Sequence, residues 1–328
     1  MTQYKNVSIK EIAAELHLSI NTISRALRDC SDISEGTKKR VRKKAIEMGY
    51  IPNTVSLFLD NNNVKKTIAI VVNSLKNLYF SLVIDKLTKV FNEMGYSIMV
   101  VPSYSSFMSK DIFSQCLSLR ANGIISFNDP TEEALSLAKV YKIPLVVVGR
   151  EISTNDADIV YQDDERGGAL AADYLLSKGL NKFIYAKLKS VECSARRYKG
   201  FYQEIVKKNR QAKIKLIDTN DIEHEIINLI DSDYNGIFCF SDEYANKIID
   251  FINSMEVWKD KKIYVVGFDA IDLYFKSTNK FPSISYDLDA ILKTSAEMIS
   301  RRLKDPNIGH QSQKFPVSLY IPEKLKND

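Results

Sequence analysis

Histidine, paired cysteine and long apolar runs are what this chain has least of, and each shortage excludes a class of function. Its three histidines, His17, His224 and His310, stand far apart, which argues against a metal site or a histidine-dependent triad, so neither a metal nor a cofactor is expected. Cys30, Cys116, Cys193 and Cys239 are scattered without a C-x-x-C pair and read as reduced thiols, not as a disulfide framework or zinc site. Neither G-x-G-x-x-G nor G-x-x-x-x-G-K-[ST] occurs, so a nucleotide-dependent kinase or dehydrogenase would lack its phosphate cradle. No apolar stretch approaches the roughly eighteen residues of a membrane span. Met1 to Lys10 carries no hydrophobic signal core, of the kind a transport-type sugar-binding protein would have in place of residues 1–66. A cytoplasmic protein that is not an enzyme and has no membrane partner is expected.

What is present is charge, unevenly placed. The 328 residues are 45% apolar, enough for a small headpiece and a two-lobed body. The formal net charge of +5 sits at one end: residues 1–66 hold 12 of the 46 Lys+Arg and 7 of the 41 Asp+Glu, which leaves residues 67–328 balanced. A polyanion-binding module joined to a neutral sensor has this distribution.

Within that basic end the spacing predicts three helices. Ser8 can cap a helix in which Ile9, Ile12, Ala13 and Leu16 recur at i, i+3, i+4 and i+7. After His17, a residue type that tolerates positive φ, Ser19 caps a second helix, Ile20 to Arg28. Ile23, Ala26 and Leu27 face inward there, and Asn21, Thr22, Ser24 and Arg25 are left outside. Asn21 and Arg25 can bond base edges bidentately, whereas the hydroxyls of Thr22 and Ser24 more often hold phosphates. Ile20 lies near the inward face and is open to either burial or base contact. A third helix, Glu35 to Met48, points Val41, Ala45 and Met48 inward and the run Lys38, Lys39, Arg40, Arg42, Lys43, Lys44 outward. Such a basic run is commonly no more than a solvated helix face.

Asp60 to Lys66 is polar, without apolar periodicity, and reads as a linker. Beyond it strands and helices alternate. Thr67 to Asn73 is a strand, Tyr79 to Met94 a helix closed by Gly95, Tyr96 to Val101 a strand and Ser109 to Ala121 a helix; strands Gly123 to Phe127 and Leu145 to Val148 flank a helix at Thr131 to Tyr141. The cycle resumes with helix Glu165 to Lys178, strand Lys182 to Ala186, helix Ala195 to Lys208, strand Lys213 to Ile217, helix Asp221 to Ile230, and strands Gly236 to Phe240 and Ile263 to Val266. Continuous apolar strands alternating with helices mean parallel sheets covered on both faces; two such series mean two Rossmann-like lobes. Ligands bind such sheets at the carboxyl ends of the strands. The polar residues there are Asn73 and Ser74, Gly149 and Arg150, Ser241 and Asp242, and Phe268 and Asp269. Carboxylates and arginines suit polyhydroxylated ligands, and aromatic faces pack on sugar rings. Asp242 and Asp163 to Glu165 equally suit the capping of the helices that follow them.

The strings Val-Ser-Ile-Lys-Glu-Ile-Ala (7 to 13), Leu-Ser-Ile-Asn-Thr-Ile-Ser-Arg-Ala-Leu (18 to 27) and Gly-Tyr-Ile-Pro-Asn (49 to 53) resemble the headpiece of lactose-repressor-like (LacI/GalR-type) bacterial regulators, and a weaker likeness runs the length of the chain. The resemblance implies an α/β protein: a helix-turn-helix headpiece at 1–50, a hinge helix and linker at 51–66, and a periplasmic-binding-protein-like body at 67–328. It places Ile20, Asn21 and Arg25 on base-reading positions, with Ser8, Ser19, Thr22, Ser24, Lys38, Asn53 and Val55 among the DNA contacts. Val55 to Leu59 fall on a hinge helix, and Leu59 on a minor-groove wedge. Three departures from the family pattern are His17 in the turn, the apolar Ser56-Leu57-Phe58 in the hinge, and Ser241 where an effector-binding asparagine is usual.

Arg-Arg-Tyr-Lys-Gly-Phe (196 to 201) and Val-Val-Gly-Phe-Asp (265 to 269) are similar to the segments that grip the effector, through Arg197 and Asp269. Tyr286 and Asp287 occupy a further pocket-edge segment. The implied effector-binding set is Asn73, Arg150, Arg197, Ser241, Asp242, Asp269 and Tyr286. Family topology puts the N-lobe at about 67–162 and 289–321 and the C-lobe at about 163–288 and 322–328, with crossings near Gln162, Leu288 and Ile321. The implied function is a transcriptional repressor that binds a pseudo-palindromic operator as a homodimer, switched by a small-molecule effector, most naturally a sugar or sugar derivative. A purine- or nucleoside-responsive regulator, or a catabolite-control-type regulator assisted by a phosphoprotein, keeps the same architecture. No leucine heptad is present to join dimers into a tetramer.

Overall fold

Capping and a small apolar cluster shape the first of two units, Met1–Lys65 and Lys66–Asp328. The computed structural model describes residues 7–27, 30–48, 66–189, 191–219, 222–276 and 279–325. The expected hinge, with Asn53, Val55 and Leu59, lies outside the described residues. In the first unit α1 (Ile9–Leu16) opens with a capping box: the Glu11 N–H donates to Ser8 Oγ while the Glu11 carboxylate accepts the Ser8 N–H at 2.7 Å. His17 ends α1 in the left-handed region at φ 52°. Ser19 caps α2 (Ile20–Leu27), accepting the Thr22 N–H at 3.0 Å. The third helix, α3 (Glu35–Glu47), lies across both, and Arg40 donates to the Leu16 carbonyl at the end of α1 at 2.9 Å. Ile12, Ala13, Leu16, Ile23, Ala26, Val41 and Ala45 form the buried core of this unit.

Among the described residues the second unit has two six-stranded sheets and a two-stranded one. The N-lobe is built from β1 (Thr67–Val72), α4 (Leu78–Glu93), β2 (Ser97–Pro102), β3 (Phe107–Met108), α5 (Lys110–Ser118), β4 (Gly123–Ser126), β5 (Asp129–Pro130), α6 (Glu132–Tyr141), β6 (Leu145–Val148) and β7 (Asp158–Gln162). The C-lobe follows with α7 (Asp164–Ser177), β8 (Lys182–Lys187), α8 (Glu192–Lys208), β9 (Lys213–Asp218), α9 (Ile222–Asp231), β10 (Gly236–Cys239), α10 (Asp242–Ser254), β11 (Tyr264–Phe268) and β12 (Ser283–Tyr286). The chain then returns as α11 (Leu288–Lys304), β13 (Ser312–Phe315) and β14 (Val317–Tyr320). Sheet orders are β13-β7-β6-β4-β1-β2 and β14-β12-β11-β10-β8-β9, all parallel except β14 against β12.

The crossings near Gln162 and Leu288 fall where the sheets change. The third does not: β13 pairs with β7 and β14 with β12, so the chain crosses at Pro316, and Val317–Tyr320 belongs to the C-lobe, not to an N-lobe running to Ile321. Proline has no N–H to extend the first ladder. A buried ion pair holds the strand before it: Arg302 on α11 forks onto Asp158 of β7, and Asp158 also accepts the Gln311 N–H at 2.7 Å. The expected strand and helix set omitted α11, although Leu288, Ile291, Leu292, Ser295, Ala296 and Ile299 keep helical spacing and are all buried.

In the C-lobe, α7 and α8 approach through two glycines. A Cβ on Gly168 would lie 2.0 Å from the Arg197 carbonyl oxygen and one on Gly200 1.8 Å from that of Glu165. Only hydrogen fits at either position, and the resulting closeness brings Arg197 against Asp164.

Candidate DNA-reading face and ligand cavity

On α2, burial of Ile23 and Ala26 leaves a polar face in the open. Asn21 is exposed, Ile20 is 50% exposed, and Thr22, Ser24 and Arg25 are half-buried. Ile20 therefore stands outside the core, the alternative to burial that its spacing left open. The Arg25 guanidinium lies 2.7 Å from the Asp32 carboxylate. Lys38 departs from expectation: it is 5% exposed, shares the inward face of α3 with Val41 and Ala45, and donates to Glu35 at 2.8 Å. The basic run faces outward except at Lys38, because its position is in helical phase with the core residues at i+3 and i+7.

The second site lies between the lobes of the body, where strand ends from both sheets meet around a cavity of about 280 Å³. Asn73 follows β1, Phe127 follows β4, Gly149 and Arg150 follow β6, and Gln162 ends β7. From the other lobe come Phe240 and Ser241 after β10, Asp269 after β11 and Tyr286 at the end of β12. Six of the seven expected ligand residues thus line one cavity. Asp242 is the exception. It is 2% exposed, and its carboxylate accepts the Ser283 hydroxyl at 2.6 Å and the Ile271 N–H at 2.7 Å.

That commitment has a purpose. Asp269 and Ala270 both have positive φ, 101° and 46°, a conformation costing about 1–3 kcal/mol per residue unless the surroundings hold it. The turn is pinned by three bonds: Asp269 N–H to the Ile284 carbonyl, Ala270 N–H to Ser283 Oγ, and Ile271 N–H to Asp242. Asp242 therefore positions Asp269.

Asp269 accepts the Tyr286 hydroxyl at 3.0 Å. Burial pushes its carboxyl up to about 6 against the opposing pull of Arg197, and burial with the charge of Asp269 pushes Asp242 up to about 8. Burial raises Tyr79 and Tyr286 far above the ordinary phenol range, so both are neutral hydroxyls at neutral pH. Burial alone would lower Arg197, but Asp164 more than compensates and keeps it charged. The Arg197 guanidinium donates to Asp164 at 2.8 Å and to the Phe240 carbonyl, and stacks 3.4 Å above the Phe268 ring. Gln162 braces the same Asp164 oxygen at 3.0 Å. Ser241 Oγ is buried, lines the cavity and has no hydrogen-bond partner, which leaves it available to a ligand.

Sequence reasoning missed Asn77, Tyr79, Gln162 and Asp164. Asn77 donates across the cleft to Glu243 at 2.7 Å, a meeting of residues 166 positions apart that no local signal announces. Gln162 and Asp164 did carry a signal, since both adjoin the carboxyl end of a strand.

Comparison with known proteins now bears on both sites. The family described as "Bacterial regulatory proteins, lacI family" matches residues 8–53, the segment of the exposed α2 face. The HTH-type transcriptional repressor PurR of Vibrio atlanticus (strain LGP32) is 24% identical over 329 residues, covering 97% of each chain. The match at residues 8–53 and the likeness to PurR along the chain support a lactose-repressor-like (LacI/GalR-type) regulator. Among solved structures, the lac repressor dimer bound to operator and the anti-inducer ONPF superposes with a TM-score of 0.71 at 19% identity, over 96% of this chain and 98% of that one. A LacI family transcriptional regulator from Enterococcus faecium with bound ribose gives 0.67 at 21% identity, over 78% and 97%. These likenesses establish the fold: a helix-turn-helix followed by a periplasmic-binding-protein-like body. The same likenesses support, for this chain, a DNA-binding transcriptional repressor with a ligand-binding domain.

Proposed function

We propose that this repressor binds a pseudo-palindromic operator as a homodimer, that Asn21 and Arg25 read base edges with Ile20 beside them, and that a sugar or sugar derivative in the inter-lobe cavity sets operator affinity. One observation carries the ligand reading: two carboxylates (Glu243 and Asp269), two guanidiniums, the Lys76 ammonium, amides and hydroxyls converge with aromatic rings on one cavity of about 280 Å³, close to the lower end of small-molecule sites. Bidentate acceptors and donors suit vicinal hydroxyls, and the rings suit the apolar face of a sugar. The ribose-bound neighbour supports the same reading. A ligand that prefers one geometry of the lobes changes operator affinity by the same coupling energy with which operator changes ligand affinity. The ring-lined cavity and the relative named PurR also favour a second reading, a purine base or nucleoside as the effector.

The test begins by selecting binding sites from random duplex DNA with the full chain, then titrating monosaccharides, disaccharides, purine bases and nucleosides against the selected duplex. Enrichment of a pseudo-palindrome whose affinity shifts only with sugars supports the reading. A shift with purines alone replaces the sugar, and enrichment of asymmetric single half-sites overturns the dimer. Asn21→Ala and Arg25→Ala are expected to change the preferred half-site; uniform weakening would make them phosphate contacts.

A further inference from the structure

Two arginines line the ligand cavity, and they are held in opposite ways. Arg197 is fully engaged by Asp164, the Phe240 carbonyl and the Phe268 ring. Arg150 is not. One of its terminal nitrogens donates to Cys193 Sγ at 2.6 Å, across the seam between the lobes. Burial pushes that thiol up to about 11, so at neutral pH it is an uncharged partner. The Asp129 carboxylate lies 3.5 Å from Arg150 Nε, too far for a hydrogen bond. Both Nε and Asp129 Oδ1 are buried without a hydrogen-bond partner, and the Arg150 side chain is only 13% exposed.

A guanidinium taken out of water carries a large desolvation cost that good pairing offsets. Here the hydrogen bonding is incomplete, and Arg150 lines the cavity. The same cavity is lined by Asp269 and the Tyr286 hydroxyl, which suit neutral hydroxyls. The lining therefore combines two chemistries: Asp269 accepts hydroxyl protons, and Arg150 offers an under-used fork of N–H donors with positive charge.

We infer that Arg150 selects an oxyanion on the effector, so that the ligand is an acidic sugar, its phosphate or carboxylate group on Arg150 and its hydroxyls toward Asp269 and Tyr286. This rests on the sugar reading above. A guanidinium binds both oxyanions by parallel N–H bonds, and Arg150 does not distinguish phosphate from carboxylate.

The experiment is isothermal titration of the full chain with matched neutral and anionic sugars: ribose and ribose 5-phosphate; fructose and fructose 6-phosphate; glucose, glucose 6-phosphate and gluconate. In at least one set an anionic member is expected to bind about tenfold or more tightly than its neutral parent, the gain expected of a hydrogen bond to a charged group. That preference should shrink as salt is raised, a reading that needs no variant. Arg150→Gln should remove the preference, and Arg150→Lys, which keeps the charge but not the fork, should retain part of it. Phosphates binding better than gluconate, or the reverse, names the oxyanion. Neutral sugars binding as tightly as their anionic partners overturns the Arg150 inference and leaves the sugar reading standing. Equal weakening of neutral and anionic ligands by Arg150→Gln also overturns it. Binding by nothing in the set overturns both.

Discussion

The two walls of the ligand cavity use the same strand-end geometry but are held in place differently. On the C-lobe wall the Arg197–Asp164 pair is buried where two helices meet through Gly168 and Gly200, and Asp242 and Ser283 separately pin the strained Asp269 turn. On the N-lobe wall the buried ion pair, Arg302 with Asp158, lies away from the cavity, and Arg150 stands at the cavity with a thiol and an unbonded carboxylate beside it. One wall is preorganised by its own protein contacts; the other leaves bonding capacity for a ligand. Rigidity where the ligand is oriented and unsatisfied donors where it is selected are complementary ways to use buried charge.

The comparison breaks most sharply at Arg197. Arg197→Met leaves Asp164 buried and unpaired and is expected to cost about 3–5 kcal/mol in urea unfolding, whereas the double variant with Asp164→Leu recovers much of it. A single-variant loss below about 1 kcal/mol would mean that the C-lobe network is not structural.

Next in size is the pH dependence of stability. The carboxyls of Asp269 and Asp242 are raised to about 6 and about 8 from an ordinary 3.8, so the folded state holds protons that the unfolded chain releases. Their contribution is complete below about pH 4 and is lost as pH rises through about 6 and then about 8, on the order of a few kcal/mol in all. Asp242→Asn should flatten the upper part of that slope in thermal unfolding followed across pH; an unchanged slope assigns it to other groups.

Smaller again is Gly200→Ala, whose added methyl meets the Glu165 carbonyl. Prising α7 from α8 should destabilise by about 1–3 kcal/mol and loosen Arg197 from Asp164, visible as a lower denaturation midpoint. The smallest effect sharpens the contrast. Arg150→Gln leaves Asp129, which is 3.5 Å away and not hydrogen-bonded to it, beside an amide, so its stability loss should be smaller than that at Arg197. A comparable loss at both arginines would abolish the distinction between the walls.

Much of the frame was legible in the residues. Alternation of apolar strands with amphipathic helices carried both lobes; the rule that ligands gather at strand ends pointed to Asn73, Arg150, Ser241 and Asp269, and the family resemblance to Arg197 and Tyr286, all of which line one cavity. Lys38 was misplaced because a run of like charges masks helical phase, and Asp242 because an acidic residue after a strand looks the same whether it meets ligand or backbone. The third crossing was displaced by only a few residues, yet this moves a whole strand between sheets, since β13 and β14 are separated by one proline.

By itself, the order of residues determined the local elements, their caps, the charge confined to residues 1–66 and the family that those motifs announce, because each depends on neighbours a few positions apart. Only the tertiary structure decided which buried charges are matched. Arg197 with Asp164, Asp242 behind Asp269, and Arg150 against Cys193 join residues 33, 27 and 43 positions apart, and whether a buried charge is satisfied depends on distances of less than an ångström that only packing sets.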